Sequence, residues 1–299
     1  MKIKKRNSTT ERRRLNEIYR SALKKLTAAI GLFTGAVLAT NTFAGAVFLT
    51  GHDPDFHAQP SSAGAGNTLL KTGISFVTGG TFDDASPTKK FLWVESNISV
   101  PGGHLRGELS LDDIGAVAGT NYDSVDAAGL VGVNFSAYSA IAIASSFGGT
   151  LTRAELDGLI ARKDDIKSFI NAGGGLFASA ECFPCGADLL GGATAPDLFG
   201  YLPIVVTSIG ANGPFNVTAA GAAAPFGLTN ADVNDPTHNS FGATGGLSIL
   251  DTDSSGNATT LAGNTRVGGG GFEPVPEPAS LALLGLGLAG VSLVRRRKA

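Results

Sequence analysis

The chain has 299 residues, 42 of them glycine, with a formal net charge of −2. That near-balance hides a segregation: ten of the 23 basic residues lie in 1–25 and four in 295–298, whereas only Glu11, Glu17 and Glu277 of the 25 acids lie outside 47–276. The stretch between carries 9 bases against 22 acids, a net charge of −13, which excludes a basic surface for nucleic acid or anionic lipid. At roughly 230 residues it is long enough to bury one core as a single domain.

The basic run at the start is followed by an apolar segment from Leu26 to Ala39 and then by Asn41-Thr42-Phe43-Ala44-Gly45-Ala46. A basic region, an apolar region and an A-x-A site in that order predict a secretory signal peptide over residues 1–46. Cleavage after Ala46, or after Ala44, would begin the mature chain, with a retained N-terminal anchor as the competing reading.

Short apolar runs at Val47 to Thr50, Phe91 to Val94, Ala140 to Ala144 and Leu176 to Ala180 read as buried strands. Helices are expected between them at Asn67 to Val77, Asp112 to Ala118 and, most clearly, Arg153 to Ala172. In the last of these Thr152 and Glu155 have capping-box spacing. Leu156, Leu159, Ile160, Ile166, Phe169 and Ile170 share one face, and Gly173-Gly174-Gly175 supplies a left-handed stop. Strand, helix, strand at this spacing is a βαβ unit. It predicts an α/β domain with a mainly parallel sheet flanked by helices. Farther on, Leu247 to Leu250 and Ala258 to Leu261 flank Asp251-Thr252-Asp253-Ser254-Ser255-Gly256-Asn257. The insert imitates the first half of a calcium loop but has Ala262 where the bidentate glutamate belongs, so an antiparallel hairpin at the C-terminal edge is expected instead. Residues 263–275, with Gly268 to Gly271, read as a flexible linker.

Three groups of residues could carry chemistry. Cys182 and Cys185, the only cysteines, follow a strand, where an exported chain would form a small disulfide; redox work or nucleophilic use of Cys182 are the alternatives. His52, Asp53, Asp55 and His57 lie on the loop after the first strand and would suit a divalent metal, the one cofactor the sequence suggests. Asp235 and His238 lie on a later loop, and His238, Cys182 and Glu181 form the candidate catalytic set if the loops meet at the carboxyl ends of the strands.

The end of the chain has Pro276-Glu277-Pro278, an uncharged run from Ala279 to Val294, and Arg295-Arg296-Arg297-Lys298. Sixteen residues rise roughly 24 Å as a helix, a minimal membrane span, and the arginines would hold its end in the cytoplasm. This order of parts over 276–299 resembles the PEP-CTERM sorting tail of bacterial surface and exopolysaccharide-associated proteins. The resemblance implies an exosortase-type membrane protease as partner, membrane anchoring before processing, and a final place at the cell surface or in the extracellular matrix. A second resemblance covers 47–262. Tyr138 to Ser145, the long helix and Gly173 to Ala178 look like the centre of a class I glutamine amidotransferase-like domain, which implies a flavodoxin-like sheet. In catalytic members a cysteine follows the strand in a G-x-C-x-G setting, whereas Ala178-Ser179-Ala180-Glu181-Cys182 has no such glycines. The expectation is therefore an exported surface or matrix protein with a binding or structural domain. An exported hydrolase using Cys182 and His238, or a metal, is the alternative. In the exported protein neither Cys182 nor Cys185 should be alkylated without reductant; labelling of both would reject the disulfide.

Overall fold

The computed structural model describes residues 45–58, 65–96, 107–146, 151–179, 190, 198–204, 206, 208–234, 239–268 and 271–274. These belong to one compact unit, Phe43–Val275, built on a single mixed sheet of eleven strands. Its parallel block comprises β1 (Gly45–Thr50), β2 (Phe91–Val94), β3 (Tyr122–Val125), β4 (Ala140–Ile143) and β5 (Gly175–Ser179). The remaining strands are β6 (Ser208–Gly210), β7 (Asn216–Val217), β8 (Asn239–Phe241), β9 (Ser248–Thr252), β10 (Ala258–Gly268) and β11 (Gly271–Pro274), and all their pairings are antiparallel.

The main path across the sheet is β3-β2-β4-β5-β1-β10-β8-β6. A flavodoxin-like chain runs 2-1-3-4-5. Here the first strand of the chain stands at the end of the parallel block, beside β5. Numbering from β2 and counting β1 last turns the observed order into 2-1-3-4-5.

Side-chain alternation along the parallel strands divides the core into two layers. Val47, Leu49, Leu92, Val94, Ile141, Ile143, Leu176 and Ala178 face the helices Arg153–Ala161 and Lys163–Asn171. Phe48, Phe91, Trp93, Ala142 and Phe177 face the helix Ala65–Thr78. The alanines of β4 all fall on this second face, where the neighbouring strands present aromatic rings. Gly73 lets the helix approach so closely that a Cβ there would lie 2.6 Å from the Phe177 ring.

Four expectations need correction. The helix expected as one piece from Arg153 to Ala172 is two, Arg153–Ala161 and Lys163–Asn171, divided at Arg162 (φ −103°, ψ 18°). The guanidinium of Arg162 donates to the carbonyls of Leu130 and Val133 at 2.8 Å each and lies 3.8 Å from the Phe135 ring centre. The apolar stripe also lapses at Lys163-Asp164-Asp165, so nothing on that turn holds it to the sheet. The capping box of Thr152 and Glu155 is present, and Gly173 (φ 95°) closes the second helix. The helix expected at Asp112 to Ala118 instead spans Gly107–Asp113. Gly115 (φ 96°) ends it, with the amides of Gly115 and Ala116 bonded to the carbonyls of Asp112 and Leu111. The β9–β10 hairpin is found, but β10 is interior, with β1 on one side and β9 and β11 on the other. Finally, 263–275 is not a linker: β10 runs on to Gly268 and β11 folds back on it as far as Pro274. The two ends of this unit flank one residue, for Thr265 pairs with Gly45 on one side and with Pro274 on the other.

Gly175 begins β5 beneath the end of the helix Ala65–Thr78, where an added Cβ would lie 2.0 Å from the carbonyl oxygen of Val77. Backbone cannot yield cheaply, so Gly175→Ala should destabilise the domain by about 1–3 kcal/mol or more, read from the shift of a urea unfolding midpoint.

Candidate functional site

The parallel strands all end at one edge of the sheet, the edge at which open α/β sheets hold ligands. Strand β1 stops at Thr50, whose hydroxyl bonds that of Thr260 on β10 at 3.1 Å. Gly51 passes the backbone of β8 so closely that a Cβ would lie 2.0 Å from the carbonyl oxygen of Asn239. The chain then turns through His52 and Asp53 into the single helical turn Pro54–His57, with proline at the position where its missing N–H is harmless.

The four polar residues of this turn go to different partners. His52 Nε2 lies 2.7 Å from Asp251 Oδ2 on β9, and the ring meets Phe215 edge-on. Asp55 Oδ2 accepts the amide of Ser145, just past β4, at 2.7 Å. Asp53 Oδ1 has no hydrogen bond yet stands 3.4 Å from His57 Nε2, so the two attract as an ion pair when the imidazole is protonated. Among the described residues no group of three or more His, Cys, Asp or Glu side chains is arranged to hold a metal ion. The expected set of His52, Asp53, Asp55 and His57 sits on one turn but does not converge on one point.

Two buried acids, Asp55 and Glu95, both reach Gly107. Glu95 directly follows β2, and its Oε2 accepts from the Trp93 indole at 2.9 Å and from the Glu108 amide at 3.1 Å. Gly107, which opens the next helix, makes room for both carboxylates. A Cβ there would lie 3.1 Å from Glu95 Oε2 and 3.2 Å from Asp55 Oδ2. Both side chains are fully buried, and Asp55 Oδ1 and Glu95 Oε1 have no hydrogen-bond partner. Burial pushes Asp55 up to about 6, helped by the charge of Asp53 and opposed by the bonds from Ser145. Burial likewise pushes Glu95 up to about 7, with the charges of Glu108 and Asp55 adding to it and the Trp93 and Glu108 bonds resisting. The hydroxyls of Ser146 and Ser179, past β4 and at the end of β5, are also buried without a partner.

Glu95, Ser145 and Asp251 were not singled out in the sequence. Glu95 had a signal, an acid placed directly after the apolar run Phe91 to Val94. Asp251 read as part of a turn, whereas only Asp253 serves the turn, accepting the amides of Ser255 and Asn257. Glu181, Cys182, Cys185, Asp235, His238 and the sorting residues Pro276, Glu277, Pro278, Arg295, Arg296 and Arg297 lie outside the described residues. A cavity of about 700 Å³ opens at the opposite edge of the sheet, lined in part by Phe135, Tyr138, Arg162 and Asn264.

Residues 274–298 match the family model of the PEP-CTERM protein-sorting motif. A tail of this class marks an exported protein that is recognised by an exosortase and anchored in the membrane before processing. Among the described residues no helix is long and apolar enough to cross a membrane; the uncharged run 279–294 lies outside them. No curated protein and no solved structure matches the chain.

Folding raises the pKa of both acids, so the native state holds protons that the unfolded chain releases near pH 4. Their contribution to stability is fully present below that pH and is lost as pH rises through about 6 and 7. Each accounts for a loss on the order of 2–3 kcal/mol by pH 8. Urea midpoints of the wild type should fall between pH 5 and pH 8, and Glu95→Gln should flatten that fall while leaving the pH 5 midpoint nearly in place.

Proposed function

We propose that this chain is an exported, exosortase-sorted bacterial surface or matrix protein whose α/β domain serves binding or assembly rather than catalysis. One observation supports this most. Among the described residues, three polar side chains at the ligand edge of the sheet are committed inside the fold, His52 on Asp251, Asp55 on Ser145 and Glu95 on Trp93 and Glu108, each 2% exposed or less. A buried, hydrogen-bonded polar group of this kind fixes loops to strands. The partner that the sorting tail suggests is an exopolysaccharide, met at the cell surface after processing.

The second reading is an exported hydrolase of amidotransferase-like architecture using Cys182 and His238. Two features favour it. The pKa values of Asp55 and Glu95 are perturbed at the edge where such enzymes react, and the parallel block acquires the 2-1-3-4-5 order once β1 is counted last.

The protein recovered from the surface of producing cells decides between them. On the binding reading it sediments with exopolysaccharide isolated from the same cells and shows no turnover of ester, amide or glutamine substrates. Turnover that Cys182→Ser or His238→Ala abolishes would establish the hydrolase and end the binding reading.

A further inference from the structure

We infer that the mature protein begins at Gly45, by hydrolysis of the Ala44–Gly45 peptide bond rather than of the bond after Ala46. The inference rests on the proposed export reading and goes beyond it by assigning the processing site. Water adds across the amide, leaving a carboxylate on Ala44 and an amine on Gly45.

The sequence offers two cuts, one preceded by Ala44 and Ala46 at alternate positions and one preceded by Thr42 and Ala44. The fold treats the residues between them as its own. Gly45 and Ala46 are the first two residues of β1, in register with Thr265 and Asn264 of β10. Gly45 is buried beneath the turn that follows the helix Lys163–Asn171, and a Cβ there would lie 2.2 Å from the carbonyl oxygen of Gly174 and 2.8 Å from that of Ile170. Only glycine fits that space, so the position is matched to the folded domain rather than to a discarded leader. A cut after Ala46 would remove one third of the six-residue strand that joins the parallel block to β10. It would also expose the underside of the turn at Gly174. The Ala46–Val47 bond itself lies within β1, where Val47 is paired on both sides, to Gly263 and to Leu176. Strand β1 begins at Gly45.

The test compares two full-length precursors expressed in a cell that exports them, the natural one and one from which Gly45 and Ala46 are deleted. The deletion keeps Thr42-Phe43-Ala44 as a cut site. N-terminal sequencing and intact mass of the exported products are read, followed by thermal unfolding. The natural product should begin at Gly45 and the deletion product at Val47, two residues shorter and melting several degrees lower. Two products of equal mass, both beginning at Val47, would overturn the assignment while leaving export intact. Equal melting temperatures for products that differ at the N-terminus would remove its physical basis and overturn it as well. A natural product that still carries residues 1–44 would instead sink the export reading on which the inference stands.

Discussion

The structure depends on the placement of β1 between β5 and β10. It is parallel to β5 over Val47 to Thr50 and antiparallel to β10 over its whole length. No other strand of the parallel block touches the antiparallel wing along the path of the sheet, so the two halves are joined through the six residues of β1. The pairing is extremely non-local, with Gly45 opposite Thr265. Closing so long a loop costs conformational entropy before any contact forms, and sheets built this way assemble late and slowly. The domain cannot complete its sheet until the end of β10 is available. For an exported chain that means the sheet closes only after nearly all of the domain has crossed the membrane.

The seam between β1 and the wing is held by polar contacts as well as by the ladder. Thr50 bonds Thr260, and His52 reaches Asp251, both pairs within the protein interior. Such a buried pair adds little net stability over an apolar one, because both groups lose their water. Its contribution is specificity, because a one-residue slip of β1 against β10 would strand both partners without bonds. A small core of apolar residues continues beyond the seam, with Phe215, Leu250 and Ala262 completing the layer begun by Phe48 and Phe177. The antiparallel wing is therefore part of the same core, not an appendage.

The same burial that locks the seam shapes the acidic group beside it. Asp55 ties the turn after β1 to the end of β4, and Glu95 ties the end of β2 to the start of the next helix. Each bond is strongest when its carboxylate is charged, yet the interior disfavours two charges side by side. Burial raises the pKa of both, so the bonding at this edge of the sheet changes with pH. The cavity at the opposite edge, beside Arg162 and Asn264, carries no such group of buried acids.

The sequence alone determined what local chemistry decides. The apolar runs at 47–50, 91–94, 140–144 and 176–180 are strands within a residue or two, because a short β-rich run buried on both faces has few other uses. The capping box at Thr152 and the glycine stop at Gly173 mark the outer limits of the helical segment. The tail, a linear motif read by chain order, is recognised without any fold at all. Tertiary structure decided the rest. Strand order is invisible in periodicity, and nothing local places β1 beside β5 rather than beside β2. The break at Arg162 follows from carbonyls at Leu130 and Val133, some thirty residues away in the chain. The segment 263–268 reads as part of a linker but forms strand, because β1 pairs Gly263 to Thr265 and β11 pairs Thr265 to Gly268. Asp55 and Glu95 are far apart in the chain, and only the fold places both carboxylates beside Gly107. Hydrogen-bond partners and burial belong to pairs distant in sequence, and only the folded chain chooses them.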